Sequence, residues 1–342
     1  MTYDANDTPH ALIERWLQPY DGTAPGLSLL VLKDGVPLVR RSVGRSDLAA
    51  DVEAGPATNY RLASVSKQFT ATAILLLAQD DALAIDDPVR RWLPSLPSVA
   101  DDITLRHLLT HTSGLPDYED LMGPNYVGQI RDAGILALLE SHHALLFPPG
   151  SQYRYSNTGY ALLALVVERA SGIDFPAFLQ QRIFAPLGMH DTLARVDGGP
   201  EVPNRAFGYS QDGTTWQFTD QSSTSAVLGD GGIYSNIDDL ARWDAALYDD
   251  RLLGEASRVL AFAPHVRAGD ELESTPYHYG FGWRVTGDGS RVWHTGESIG
   301  FRNAMVRWPQ HRLTVAVLTN RDAPSPYQLA RDIGELFLHA GD

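Results

Sequence analysis

The chain has 342 residues, no cysteine, and 27 Lys+Arg against 42 Asp+Glu, a formal charge of −15. Its apolar share of 44% is that of a globular core, which excludes disorder and fibrous repeats, and the lack of cysteine excludes a disulfide scaffold and Cys-ligated zinc or iron–sulfur sites. The acidic balance argues against nucleic acid or an anionic membrane as partner, and the longest apolar runs, Ala71–Ala78 and Ala161–Val167, fall far short of the roughly 20 residues of a membrane span.

At roughly 150 residues per domain, the length suggests about two domains, or one large core with an insertion. Residues 1–7 show neither the basic nor the apolar part of a secretory leader. The reading is a cytoplasmic protein as given, or a periplasmic or secreted one if a leader has been trimmed. A helix is predicted over Pro9–Leu17, then a hairpin over Leu27–Arg45 that turns at Asp34-Gly35. A strongly apolar, buried helix runs from Ser64 to the turn at Gln79-Asp80-Asp81, and Asp86-Asp87-Pro88 opens another. Further helices are predicted at Thr104–Leu109, Ala133–Ser141, Gly159–Ala170, Phe175–Ile183 and Asp238–Tyr248. From about Tyr279 alternating strands follow: Phe281–Val285, Ser290–His294, Arg302–Trp308 and Leu313–Thr319, closed by a helix at Tyr327–Leu338. This order predicts an α/β lobe assembled from residues 1–80 and 205–342 and a mainly helical lobe over 81–204, with a site between them.

Three short boxes carry candidate chemistry. In Ser64-Val65-Ser66-Lys67 the i, i+3 spacing on a helix puts a hydroxyl and an amine on one face. Serine needs an adjacent base to act as a nucleophile, and a desolvated lysine can serve. Only two lysines occur beside 25 arginines; Lys33 falls in the hairpin turn, whereas Lys67 stands at the mouth of a buried helix. Tyr155-Ser156-Asn157 offers a phenol for proton relay and an amide that both donates and accepts. Taken alone, it reads as an Asn N-cap before the next helix with Tyr155 in the core. His294-Thr295-Gly296 ends a strand whose edge lets a substrate approach, with the N–H of Glu297 as an oxyanion donor. Taken alone, it reads as a strand end running into a glycine turn.

Together the boxes resemble those of the class C β-lactamase-like branch of the penicillin-recognising serine hydrolases, a group that also holds DD-peptidases, D-amino-acid peptidases and β-lactamase-like esterases. The related class A enzymes carry S-x-x-K, S-D-N and K-T-G. The segments Leu108–Leu115, Phe147–Gly150, Leu187–Met189 and Gly231–Ser235 extend the resemblance over roughly residues 25–320. It implies an α+β fold of β-lactamase/transpeptidase type: an antiparallel sheet flanked by helices plus an all-α lobe. It implies Ser64 as nucleophile, Lys67 and Tyr155 as the proton-transfer pair, and Asn157, His294, Thr295, Gly296 and Glu297 as substrate contacts. The backbone N–H groups of Ser64 and Glu297 would hold the oxyanion, and no metal or cofactor is expected. The implied function is hydrolysis of small esters or amides, of carboxylesterase or D-amino-acid peptidase type. The alternatives are a class C β-lactamase and a slow-turnover penicillin-binding or sensor protein.

Two residues depart from the pattern. His294 stands where a lysine is usual, so a fixed ammonium is replaced by a group whose charge varies near neutrality. Glu297 puts a carboxylate where a small residue is usual, unless it pairs with Arg302. Several decoys compete. Gly296-Glu297-Ser298-Ile299-Gly300 matches G-x-S-x-G, with Asp322 and His339 in α/β-hydrolase order, but requires a helix directly after Ser298. His107 and His111 have a metal-like spacing and read as structural; His142-His143 reads as surface, Asp101-Asp102 and Asp238-Asp239 as helix starts. Trp216, Trp243, Trp283, Trp293 and Trp308 read as core.

Overall fold

A computed structural model describes residues 8–123, 126–269 and 276–339, so the reading of residues 1–7 falls outside it. Strands β1 (Leu27–Lys33) and β2 (Val36–Val43) form the expected hairpin. Its two turn residues, Asp34 and Gly35, both have positive φ, at 53° and 78°, the backbone a tight two-residue hairpin requires. Late in the chain come β3 (Val266–Gly269), β4 (Tyr277–Tyr279), β5 (Arg284–Thr286), β6 (Val292–Ser298), β7 (Phe301–Trp308) and β8 (Leu313–Thr319). All eight join one sheet in the order β3-β4-β5-β6-β7-β8-β1-β2, with every neighbouring pair antiparallel.

The period-2 alternation of the central strands sorts their side chains between two cores. Leu27, Leu29 and Val31 of β1, and Leu313, Val315 and Val317 of β8, pack with the Pro9–Leu17 and Tyr327–His339 helices. Leu30 and Leu32, and Ala316 and Leu318, point to the opposite core, shared with the Lys67–Gln79 and Asn157–Ser171 helices. All seven residues of β8 are therefore buried. Among the described residues no helix is long and apolar enough to cross a membrane.

Some elements differ from expectation. The strand predicted at Phe281–Val285 is broken: β4 ends at Tyr279 and β5 begins at Arg284. Between them Gly282, at φ 78°, presses on the Lys67 helix so closely that a Cβ would lie 2.7 Å from the Lys67 carbonyl oxygen. The strand predicted to end at His294 continues to Ser298, so the third box lies within β6. The helix after Asp86-Asp87-Pro88 is one turn, Val89–Trp92. Asp87 closes the loop before it, accepting from the Ala84 N–H at 2.9 Å and from Arg91 at 2.7 Å.

The Ile237–Ala246 helix is latched to the sheet by Asp244, which accepts from Arg307 Nε of β7 and Thr314 Oγ1 of β8, each at 2.7 Å. Asp244 and Arg307 are almost fully buried, so losing one leaves the other unpaired in the interior. Asp244→Ala is expected to lower unfolding stability by about 3–5 kcal/mol in a denaturant titration. A loss under about 1 kcal/mol would contradict this role for the pair.

Candidate active site

Ser64 lies in a 3₁₀ turn, Ala63–Ser66, between the short strand Tyr60–Arg61 and the Lys67–Gln79 helix. The turn starts from an uncommon backbone: Ala63 has φ 49°, which costs a non-glycine residue about 1 kcal/mol or more. The preceding residue is tied down by a Leu62 N–H to Ile233 carbonyl bond of 2.8 Å. One helical turn on, Lys67 is fully buried. Its Nζ donates to Ser64 Oγ at 2.9 Å, Asn157 Oδ1 at 2.8 Å and the Asp230 carbonyl at 2.9 Å. Three acceptors satisfy the three donors a lysine carries, which is what lets it sit away from water.

The second box meets the first through Asn157. It is the first residue of the Asn157–Ser171 helix, not its N-cap, and its side chain does not cap. Oδ1 accepts from Lys67, Nδ2 donates to Glu119 Oε1 at 3.0 Å, and the backbone N–H donates to Asp117 Oδ2 at 2.5 Å. Tyr155 presents its ring face to Lys67 Nζ, 5.0 Å from the ring centroid, and to the Arg284 guanidinium at 5.5 Å. Two cations thus face the phenol ring.

The third box reaches the site by close backbone approach. A Cβ on Gly296 would lie 2.0 Å from the Leu62 carbonyl oxygen, so only glycine lets β6 run flush against the segment leading to Ser64. Glu297 and Ser298 then line one cleft with Ser64, Glu119, Asn157 and Asp230, of about 200 Å³. Glu297 pairs across the hairpin with Arg302, its register partner, at 3.7 Å. Thr295 Oγ1 accepts from Arg284 at 3.3 Å.

His294 does not match the expectation of a charge-variable substrate contact. Its ring is fully buried and both nitrogens are engaged: Nδ1 donates to the Thr295 carbonyl at 2.6 Å, and Nε2 accepts from the Tyr279 hydroxyl at 2.9 Å. Burial, reinforced by the positive Arg284 and Lys67, holds its pKa well below the ordinary histidine value. The ring is neutral and structural.

Other residues of the site escaped the sequence reading. Burial pushes the Glu119 pKa up and raises that of Asp230 to about 7. Tyr118 donates its hydroxyl to Asp230 Oδ2 at 3.0 Å. The acidic run Asp117–Asp120 and the acid before Gly231-Gly232 were the available signals. Neither has a spacing that points at Ser64.

The chain's matches to known proteins agree with this geometry. The β-lactamase family model matches residues 13–338. A penicillin-binding protein of Bacillus subtilis is 33% identical over 321 residues, covering 89% of this chain and 70% of the relative. The chain belongs to the β-lactamase family of serine hydrolases. A D-aminopeptidase of Gluconobacter oxydans is 28% identical over 301 residues, covering 86% of this chain, which spans only 56% of that relative's length. The solved D-amino acid amidase of Ochrobactrum anthropi superposes with a TM-score of 0.82 at 25% identity, covering 96% of this chain and 99% of the amidase.

The decoys are accounted for within the β-lactamase fold. Ser298 is followed by a two-residue turn and another strand, so the helix the G-x-S-x-G reading requires is not there. Asp322 accepts from the Gln211 N–H, and the side chain of His339 lies outside the described residues. His107 Nδ1 caps its own helix at the Thr104 N–H, and His111 Nδ1 accepts from the Ser156 N–H. Trp243, Trp283, Trp293 and Trp308 are core, while Trp216 is half-buried against Arg321.

A histidine held neutral in the fold but free to protonate when unfolded favours the unfolded state in acid. His111 is likewise held well below the ordinary value, chiefly by burial. Stability should therefore fall as pH drops below about 6.5, the unfolded histidine value. The His294 ring resonances should report one neutral tautomer, protonated at Nδ1, with no titration from pH 8 to about 5.5. A His294 midpoint near 6.5 would refute its burial.

Proposed function

We propose that the protein hydrolyses small esters or amides through an acyl-enzyme on Ser64, with substrates that present a free amine near the scissile bond, such as D-amino-acid amides and peptides. The observation that carries this is Lys67 Nζ, 2.9 Å from Ser64 Oγ and itself fixed by Asn157 and Asp230. Ser64 Oγ attacks the carbonyl carbon while its proton passes to the Lys67–Tyr155 pair. Tyr155, against the Lys67 nitrogen, relays the proton to the leaving group. The backbone N–H groups of Ser64 and Glu297 stabilise the oxyanion. Water then releases the acid.

The amine preference rests on charge. The acids Glu119, Asp230 and Glu297 outnumber Arg61 in the lining of the cleft, and position 294 holds a neutral ring. Such a cleft favours an ammonium over the carboxylate of a penicillin or a peptide C-terminus. The names of two relatives, a D-aminopeptidase and a D-amino acid amidase, support the same class. A class C β-lactamase lacks that support in the cleft's charge. Acylation by penicillin without turnover would favour the penicillin-binding reading instead.

The discriminating test is a panel of a D-amino-acid anilide, a short-chain nitrophenyl ester, nitrocefin and an N-acylated D-Ala-D-Ala peptide. The anilide and ester should turn over, nitrocefin and the acylated peptide poorly. Ser64→Ala and Lys67→Ala should each cost about 10³-fold or more in kcat/KM, and Lys67→Ala with Tyr155→Phe should cost less than the product of the single losses. Glu119→Gln should raise KM for the anilide about tenfold while leaving the ester nearly unchanged, the size expected for one charge-assisted contact. Equal effects on both substrates would remove Glu119 from amine recognition.

A further inference from the structure

Asp230 does two separate things, and only one needs a carboxyl group. Its carbonyl accepts from Lys67, a service any residue at that position would supply. Its side chain is buried to 6% exposure and lines the cleft beside Ser64, with Tyr118 donating to Oδ2 at 3.0 Å. Burying that carboxylate is costly, and the cost outweighs the positive Lys67 and Arg61 that face it. Its backbone is also unusually fixed. It sits in the single helical turn Leu228–Gly231, whose Leu228 and Gly229 N–H groups both donate to Asp132, each at 3.0 Å. Thr70 Oγ1 donates to the Gly229 carbonyl at 2.7 Å. A costly acid thus lines the same cleft as Ser64 on a rigid turn, and its carboxyl group takes no proton in the acylation step.

We propose that the Asp230 carboxylate, oriented by Tyr118, is the general base that activates water for hydrolysis of the Ser64 acyl-enzyme. This rests on the acyl-enzyme reading given above. Water oxygen bonds to the acyl carbon as its proton passes to the Asp230 carboxylate. The tetrahedral adduct then collapses, the carbon–Ser64 Oγ bond breaks, and Oγ takes up the proton that Asp230 accepted. The carboxylic acid leaves, with the Ser64 hydroxyl and the Asp230 carboxylate both restored. Acylation uses Lys67 and Tyr155, and deacylation adds Asp230, so the two half-reactions have separate bases.

The electrostatics suit that task. Lys67 and Arg61 face Asp230 with positive charge, while Tyr118, Glu119 and Asp132 surround it from the helical side. Burial dominates and raises its pKa to about 7, where a base is half ionised at neutral pH and strong enough to take a proton from water. Only the ionised form works, so deacylation should rise with pH through about 7 and then level.

The test is pre-steady-state hydrolysis of p-nitrophenyl acetate by wild type, Asp230→Asn, Tyr118→Phe and Ser64→Ala. Asp230→Asn keeps the backbone carbonyl for Lys67. It should acylate within about threefold of wild type, release acid about 10²-fold more slowly, and accumulate a one-acetyl adduct by intact mass; general-base losses are of this size. Hydroxylamine, which needs no base to attack an ester, should restore its turnover. Tyr118→Phe should move the deacylation midpoint upward, because the ionised carboxylate loses a donor; this arm decides the matter if Asp230→Asn does not fold. Acylation and deacylation falling together, or neither changing, would overturn the proposal. A pH-independent wild-type deacylation rate would do so as well. Turnover retained by Ser64→Ala would instead overturn the acyl-enzyme reading.

Discussion

The site depends on where one buried nitrogen finds its partners. Lys67 Nζ has no contact with solvent, and its three acceptors come from three stretches of chain: Ser64 one turn earlier, Asn157 at the start of another helix, and the carbonyl of Asp230. A lysine amine in an apolar interior is tolerated only when each donor is matched. Meeting that need joins three helical segments and sets Ser64 Oγ against the Lys67 amine. On the proposed mechanism, the contact that makes Lys67 tolerable is also the one that makes Ser64 reactive.

Around that point the backbone is packed closely enough to require particular residues. Gly296 lets β6 touch the Leu62 carbonyl, and Gly282 breaks a strand so that the chain can pass against Lys67. Ala63 holds a left-handed backbone just before Ser64. Such strain persists only where the surroundings over-determine it, here by the Leu62–Ile233 bond and the helix that follows. The cleft is small and acidic, with its carboxylates on walls from both the helical side and the β6–β7 hairpin.

Much of this was legible in the sequence because it is local. Asp34-Gly35 between apolar runs gave the hairpin, alternation gave β7 and β8, and the i, i+3 spacing of Ser64 and Lys67 put the two side chains together. The three boxes, each a short run of sequence, carry the family resemblance. What was not legible depends on tertiary contact. Phe281–Val285 alternates like one strand, but the nearby Lys67 backbone forces a break at Gly282. His294 looked like a titratable contact because a residue's exposure is not written in its neighbours; Tyr279 and the Thr295 carbonyl take both ring nitrogens. Asp230 and Glu119 gave no periodic or motif signal, and their place beside Ser64 comes from segments more than a hundred residues apart in the chain.

The most direct test of the account is where a covalent adduct forms. Wild-type protein labelled with a fluorophosphonate, digested and mapped by tandem mass spectrometry, should carry a single modification on Ser64. Lys67→Ala should label far more slowly at that same residue. A modification on Ser298, which lines the same cleft, or labelling indifferent to Lys67, would contradict the claim that the Lys67–Ser64 contact creates the nucleophile.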